Sequence, residues 1–397
     1  MKNETKTRTF GVVCLFLCCY FMQLLNLPNA LTVLAGGALF LLLVFQQKKI
    51  KIDGGICLIA VTMVSYYAIT NGARGLLFTI LYIPPMLYLL AGAAVEKEEK
   101  NWEKRALRLI FAFVIGYAVH GILNAWMFYA GYVIPGTRQW QDFWTGAIVP
   151  GTQHTAYFLP VLAMFFPAVM YFRKRVSLNV LLIAAALFFG YTSLATKSRM
   201  SVVIFALVFF AQILLYVVLE KEKTKKIVSD RRFQWGCLLF LVLLAAGIFL
   251  VKDSDVVVAF VENMGKGGGI LNNVRFQAQH QALLQLFDHP MGGRQMELGR
   301  TYCHNTWLDM ANAAGLIPFF AFTAFTIYTG YRLIRLIMDK EVSSELKIMV
   351  SGLYLSFFLF FTVEPALDAS IHLFAPWIYV GGLIYGIQSG KQKNKLD

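Results

Sequence analysis

Two segments, Asn272-Asn273-Val274-Arg275-Phe276-Gln277-Ala278-Gln279-His280 and Tyr302-Cys303-His304-Asn305-Thr306-Trp307-Leu308-Asp309, stand inside residues 252–310, the longest polar interval in a chain otherwise made of long apolar runs. The second segment leads straight into one of those runs. Most runs are about 17–25 residues long, the length a helix needs to cross a hydrocarbon core. A spanning segment must be helical, because only then does each peptide group find its partner within the segment. The polar interval therefore reads as a large loop between spans, and the fold class as all-α: a polytopic integral membrane protein of a single membrane domain, 1–397.

Composition agrees. The chain is 58% hydrophobic and 15% charged, whereas soluble domains carry about 25% charge. Twelve spans are expected near 10–27, 29–45, 54–70, 75–95, 106–130, 154–172, 178–194, 201–219, 235–251, 305–331, 346–363 and 373–389, with the loop 252–304 between the ninth and tenth. Short loops rich in Lys and Arg stay on the cytoplasmic side. With Met1 in the cytoplasm, 27 of the 36 Lys and Arg and 13 of the 22 Asp and Glu fall on that side, which accounts for the whole formal charge of +14. The basicity is topology, so nucleic acid has no place as a partner. Both termini are expected in the cytoplasm, and the large loop outside it.

Five cysteines lie in expected spans and only Cys303 outside them, which leaves no outer disulfide within one chain. The first apolar block follows a basic start as a signal peptide would, but a second span follows, so it reads as a retained helix. Pro84-Pro85 falls mid-span and predicts a kink in the fourth helix. The charged stretches 96–105 and 220–232 read as cytoplasmic loops.

Four outer features carry the chemistry. The loop 131–153, with Arg138, Trp140, Asp142 and Trp144, reads as an interfacial aromatic belt, with a platform for sugar rings as the alternative; His154 opens the next span and could face the same cavity. Lys197 and Arg199 bracket Ser198 in a tight outer turn, where cations are generally avoided. Gly265-Lys266-Gly267-Gly268-Gly269 lacks phosphate-loop spacing and reads as a hinge; after it, Asn272 or Asn273 caps a surface helix to Phe287 with Arg275 in its first turn. A cation there is disfavoured by the helix dipole unless an anion sits nearby. Last, His304-Asn305 enter the tenth span, with Asp309 just beyond.

These residues favour one kind of substrate. The acids Asp288, Glu297, Glu364 and Asp368 are scattered in sequence, so the opposed carboxylate pair of a glycosidase is not evident. A pyrophosphate leaving group needs charge neutralisation rather than a proton, which guanidinium groups supply bidentately without a metal. A lipid pyrophosphate at the outer leaflet follows as the expected substrate, with neither metal nor cofactor.

The order Ser198-Arg199 leading a span, Arg275 in an outer helix, His289-Pro290-Met291-Gly292-Gly293, then His304-Asn305-Thr306-Trp307-Leu308-Asp309 and Gly315, resembles the O-antigen ligase and polymerase superfamily. That resemblance implies a membrane-embedded C-type glycosyltransferase in the bacterial cytoplasmic membrane. It would move a glycan from undecaprenyl pyrophosphate to the hydroxyl of a glycan, lipid or protein acceptor, with inversion. By the same resemblance, Arg199 and Arg275 would bind the pyrophosphate and His304 would orient or deprotonate the acceptor. Arg294, Lys197, Asn305 and His154 are expected as further substrate contacts. Where the family commonly has Gly-x-Gly after the Pro, this chain has Gly292-Gly293-Arg294. Two other readings compete: a lipid or oligosaccharide transporter or flippase, and a non-catalytic partner in envelope-glycan assembly.

Overall fold

The structure, a computed structural model, describes residues 2–26, 29–48, 52–70, 81–95, 101–172, 175–229, 258 and 274–389. It is a bundle of helices with one two-stranded antiparallel ribbon, in which Gln139–Gln141 pairs with Ile148–Pro150. Six described helices are long and apolar enough to cross a membrane: Asn29–Gln47, Trp102–Tyr129, Gly151–Tyr171, Val176–Ala195, Arg199–Leu219 and Ser344–Phe361. In three of them only 17% of the most apolar stretch is buried. Leu187, Phe210 and Val218 are each more than 60% exposed. An apolar face turned outward on this scale is what a lipid-facing helix presents.

Helices also occupy other expected positions: Lys2–Met22, Leu316–Met338 and Ile371–Gln388, with the shorter Gly54–Thr70 and Ile83–Ala94. The expected ninth span, the glycine hinge at 265–269 and the capping Asn272 and Asn273 lie outside the described residues. Three expectations are corrected. Pro84 and Pro85 start the Ile83–Ala94 helix rather than kink it, since a missing N–H costs nothing in the first turn. Lys221–Ser229 is a helix, not a loop, and Lys223 pairs with Glu220 at 2.9 Å. The surface helix ends at Leu284 rather than at Phe287.

The expected tenth span is also broken. Thr306–Ala314 stops at Gly315, and Leu316–Met338 begins anew. Gly315 has φ +82°, and a Cβ there would lie 2.2 Å from the carbonyl oxygen of Pro290. Only glycine fits both the backbone and the space. The His289–Gly293 turn docks into the break: Leu316 N–H donates to Pro290 O at 2.9 Å, and Gly293 N–H donates to Ala313 O at 3.1 Å. The sixth expected span carries only a local turn at Tyr157–Phe158, between Gly151–Ala156 and Leu159–Tyr171, where both residues keep right-handed helical backbone.

Ile371–Gln388 packs closely on Ile83–Ala94, because Gly382 sits against the Tyr88 backbone with no room for a Cβ. Small residues permit such approach where lipid offers no hydrophobic drive to assembly. Around Trp377 gather Phe322, Phe325, Tyr354, Phe361 and Trp307, with ring centroids 5.1–6.2 Å away. At one end of the bundle Asp53 accepts hydrogen bonds from the Tyr88 and Tyr328 hydroxyls, both at 2.8 Å, with Arg332 stacked over Tyr328.

Among the described residues two prolines lie inside helices, Pro167 and Pro376, each depriving the carbonyl four residues earlier of its partner. Neighbouring helices supply the missing donors. Gln212, buried on Arg199–Leu219, donates to Ala163 O at 2.7 Å, and the Tyr117 hydroxyl donates to His372 O. Gln212→Leu should therefore destabilise the bundle by about 1–2 kcal/mol, measured by denaturant unfolding in detergent. Adding Pro167→Ala should restore most of that loss, because the helix can then close its own bond.

Candidate functional site

At the end of the bundle opposite Asp53 and Arg332, five segments that are remote in sequence enclose a cavity of about 560 Å³. It is lined by Arg138 and Gln139 of the ribbon, by residues 148–153 and 196–198, by Arg275, by Tyr302 and His304, and by Glu364, Pro365 and Asp368. Cations and carboxylates thus face one space.

His304 is held by its neighbours in sequence and by a helix above it. Its φ is +57°, a conformation that non-glycine residues rarely adopt without support. The Asp309 carboxylate supplies that support by accepting the N–H groups on both sides, Cys303 N and Asn305 N, each at 2.9 Å. Gln279, on the Val274–Leu284 helix, donates to His304 O at 3.1 Å and to Thr362 O at 3.3 Å. The imidazole Nδ1 lies 3.5 Å from Glu364 Oε2, near but beyond a formed hydrogen bond, and has no hydrogen-bond partner.

Thr306 ties this segment to the acids. Its hydroxyl donates to Glu364 O at 2.8 Å and accepts Ala366 N–H at 3.1 Å. The Glu364 side chain, 5% exposed, then places Oε1 3.0 Å from Arg275 Nη1. Arg275 also donates to Val363 O at 3.0 Å. Trp307 roots the whole segment in the aromatic core by donating to Thr326 Oγ1 at 3.0 Å.

Of the residues expected from sequence, His304, Arg275 and Lys197 line the cavity. Arg199 does not line it. It starts its helix just behind the buried Ser198 and lies within the electrostatic reach of Arg138 and Arg275. Arg294 stands in a second row, donating to Asp368 Oδ1 at 2.8 Å and stacking over Tyr302. Asn305 caps the Thr306–Ala314 helix by accepting Leu308 N–H. His154 is fully buried, bonded to Trp140 O at 3.0 Å and stacked on the Trp140 ring, while Thr152 and Gln153 beside it reach the cavity.

Sequence reasoning missed three contributors. Glu364 and Asp368, which looked scattered, meet the cations because the loop after Phe361 returns to the same end as the loop after Ala195. Arg138 lines the cavity although its loop reads as a belt. Trp140 belongs to neither a belt nor a sugar platform: it is fully buried and donates to Asn124 O at 3.0 Å. The ribbon is fixed by Asp142, which accepts His120 Nε2 at 2.7 Å and Asn124 Nδ2 at 3.0 Å. Burial works to push the Asp142 carboxyl up, but the bond and charge of His120, with Asn124 and the Thr145 backbone, outweigh it and hold it well below the usual carboxylate range.

Cys303 is buried with its thiol donating to Asp309 Oδ1 at 3.1 Å. Burial first, and the Asp309 charge second, push that thiol far up, so it is no nucleophile. Among the described residues no group of three or more His, Cys, Asp or Glu could hold a metal ion. No family model matches the chain, and no curated protein matches it.

Asp309→Asn keeps the shape but replaces an acceptor oxygen with a donor facing an N–H. It should cost about 1–3 kcal/mol of stability. With Cys303 as the sole cysteine, maleimide labelling, slow in the parent, should speed up markedly in the Asn variant.

Proposed function

We propose that this protein is a twelve-span glycosyltransferase of the O-antigen ligase and polymerase type, taking a glycan from undecaprenyl pyrophosphate at the outer face of the bacterial cytoplasmic membrane. The observation that carries the reading is the shared cavity, lined by Arg275, Lys197, Arg138 and His304 together with Glu364 and Asp368, in which Glu364 lies 3.0 Å from Arg275 and 3.5 Å from His304. A diphosphate departing from a sugar needs positive charge already in place, and an acceptor hydroxyl needs a base.

In this mechanism Arg275 and Lys197 hold the diphosphate, with Arg138 beside them and Arg199 adding positive potential from behind Ser198. The acceptor oxygen attacks the anomeric carbon from the opposite face, and its proton passes to the His304 imidazole. The bond from that carbon to the bridging phosphate oxygen breaks, and its electrons leave with undecaprenyl pyrophosphate. One displacement gives inversion. Neither step calls for a metal, because guanidinium groups meet phosphate oxygens bidentately. Ligase and polymerase share this donor chemistry and differ only in which glycan, lipid or protein offers the hydroxyl.

Packing favours this reading over transport. A carrier places its site near the midplane on broken helices from repeated halves. Among the described residues the helix break at Gly315 sits at the cavity end, and the aromatic cluster around Trp377 fills the described interior beneath.

Purified protein in lipid nanodiscs, given lipid-linked repeat units, should release undecaprenyl pyrophosphate and build a ladder if it polymerises. His304→Ala should lower the rate by about 10²–10⁴, Arg275→Ala should cost about 2–4 kcal/mol of transition-state stabilisation, and Arg199→Ala, outside the cavity lining, should cost less than Arg275→Ala. Normal glycan in a deletion strain complemented with stably expressed His304→Ala would overturn the assignment.

A further inference from the structure

One carboxylate in the cavity serves both halves of the site. Glu364 Oε1 lies 3.0 Å from Arg275 Nη1, and Glu364 Oε2 lies 3.5 Å from His304 Nδ1. The two partners differ in how firmly they are held. Glu364 is nearly buried and its main chain is pinned through Thr306, whereas Arg275 is one-third exposed on a long stem at the start of a surface helix. When something must move, the guanidinium moves.

We propose that Glu364 is a built-in stand-in for the substrate's anion: it holds Arg275 until a diphosphate takes the guanidinium, and then remains as the positioning residue of His304. The proposal rests on the diphosphate-donor reading above.

The physical chemistry runs in order. A buried carboxylate cannot stand without a cation or donors, so with no donor bound it takes Arg275 and keeps that side chain aimed at the cavity. A diphosphate offers more charge and more oxygens than one carboxylate, and guanidinium prefers the phosphate's bidentate geometry. Once Arg275 turns to the donor, the nearest cation-forming group to Glu364 is the His304 imidazole. A hydrogen bond from Nδ1–H to Glu364 leaves the Nε2 lone pair for the acceptor hydroxyl, because the bond made by one ring nitrogen sets the state of the other. The base is thus completed only after the donor has arrived, which makes binding ordered, donor before acceptor. Acceptor hydroxyls and water meet an unfinished base while the diphosphate is absent.

The consequence for mutation runs against intuition. Glu364→Gln removes the competing charge, so the full-length protein in nanodiscs should bind inorganic pyrophosphate about fivefold more tightly or better, the size expected for one partly exposed ion pair. The same variant should show a lower donor KM and a kcat reduced by about tenfold or more. If Glu364 were merely structural, pyrophosphate affinity, kcat and thermal stability would fall together. Glu364→Asp, which withdraws the charge by one methylene, should fall between wild type and Gln in both measures; it carries the test alone if the Gln variant does not fold. Arg275→Ala combined with Glu364→Gln should abolish the gain. Calorimetric titration with pyrophosphate decides it: unchanged or weaker binding by folded Glu364→Gln, or wild-type affinity and turnover in Glu364→Asp, overturns the proposal while leaving the donor reading intact. Absence of pyrophosphate binding in every variant, wild type included, overturns both.

Discussion

The arrangement around the cavity depends on one carboxylate receiving two peptide N–H groups. Asp309 sits in the first turn of a helix and reaches back to the backbone on either side of His304. That bridge compensates for a left-handed backbone which would otherwise cost about 1–3 kcal/mol. With His304 fixed, Thr306 can fix Glu364, and Glu364 can meet Arg275. Each later contact presupposes the earlier one.

A second constraint acts on the whole bundle. In an apolar interior no polar group can be left to water, so each irregularity must be answered by another element. The break at Gly315 places non-helical backbone where the His289–Gly293 turn receives it. Inside the bundle the interior prolines are answered by Gln212 and Tyr117, and the Asp142 carboxylate by His120 and Asn124. These residues are among the buried polar groups in stretches otherwise chosen for apolarity.

Sequence made the helices legible because length and apolarity are local properties. It also placed His304, Arg275 and Lys197 near one space, since motifs at the same ends of successive spans share a face. Glu364 and Asp368 were not legible, because no local pattern says which loops fold over which. A subtler signal was present: on the expected topology the side carrying His304 holds as many acids as cations, which makes carboxylate–guanidinium pairs an expectation there. Trp140 and His154 misled for a related reason. An aromatic near a span end reads as interfacial, and only the ribbon's folding back over Asn124 hides it. Pro84 and Pro85 misled because the start of their helix could not be set to within a turn by hydropathy.

The answered prolines have a mechanical meaning. Leu159–Tyr171 is tied to Arg199–Leu219 through Gln212, and Ile371–Gln388 to Trp102–Tyr129 through Tyr117. Sliding either helix past its partner would strip a carbonyl of its only donor in a medium that offers no replacement. These two helix pairs are therefore stiff in their register, which leaves side chains and surface segments at the rim as the parts free of that constraint. Anything bulky that the cavity receives would enter from the side or from above, by the rim yielding, rather than by either of these helix pairs sliding.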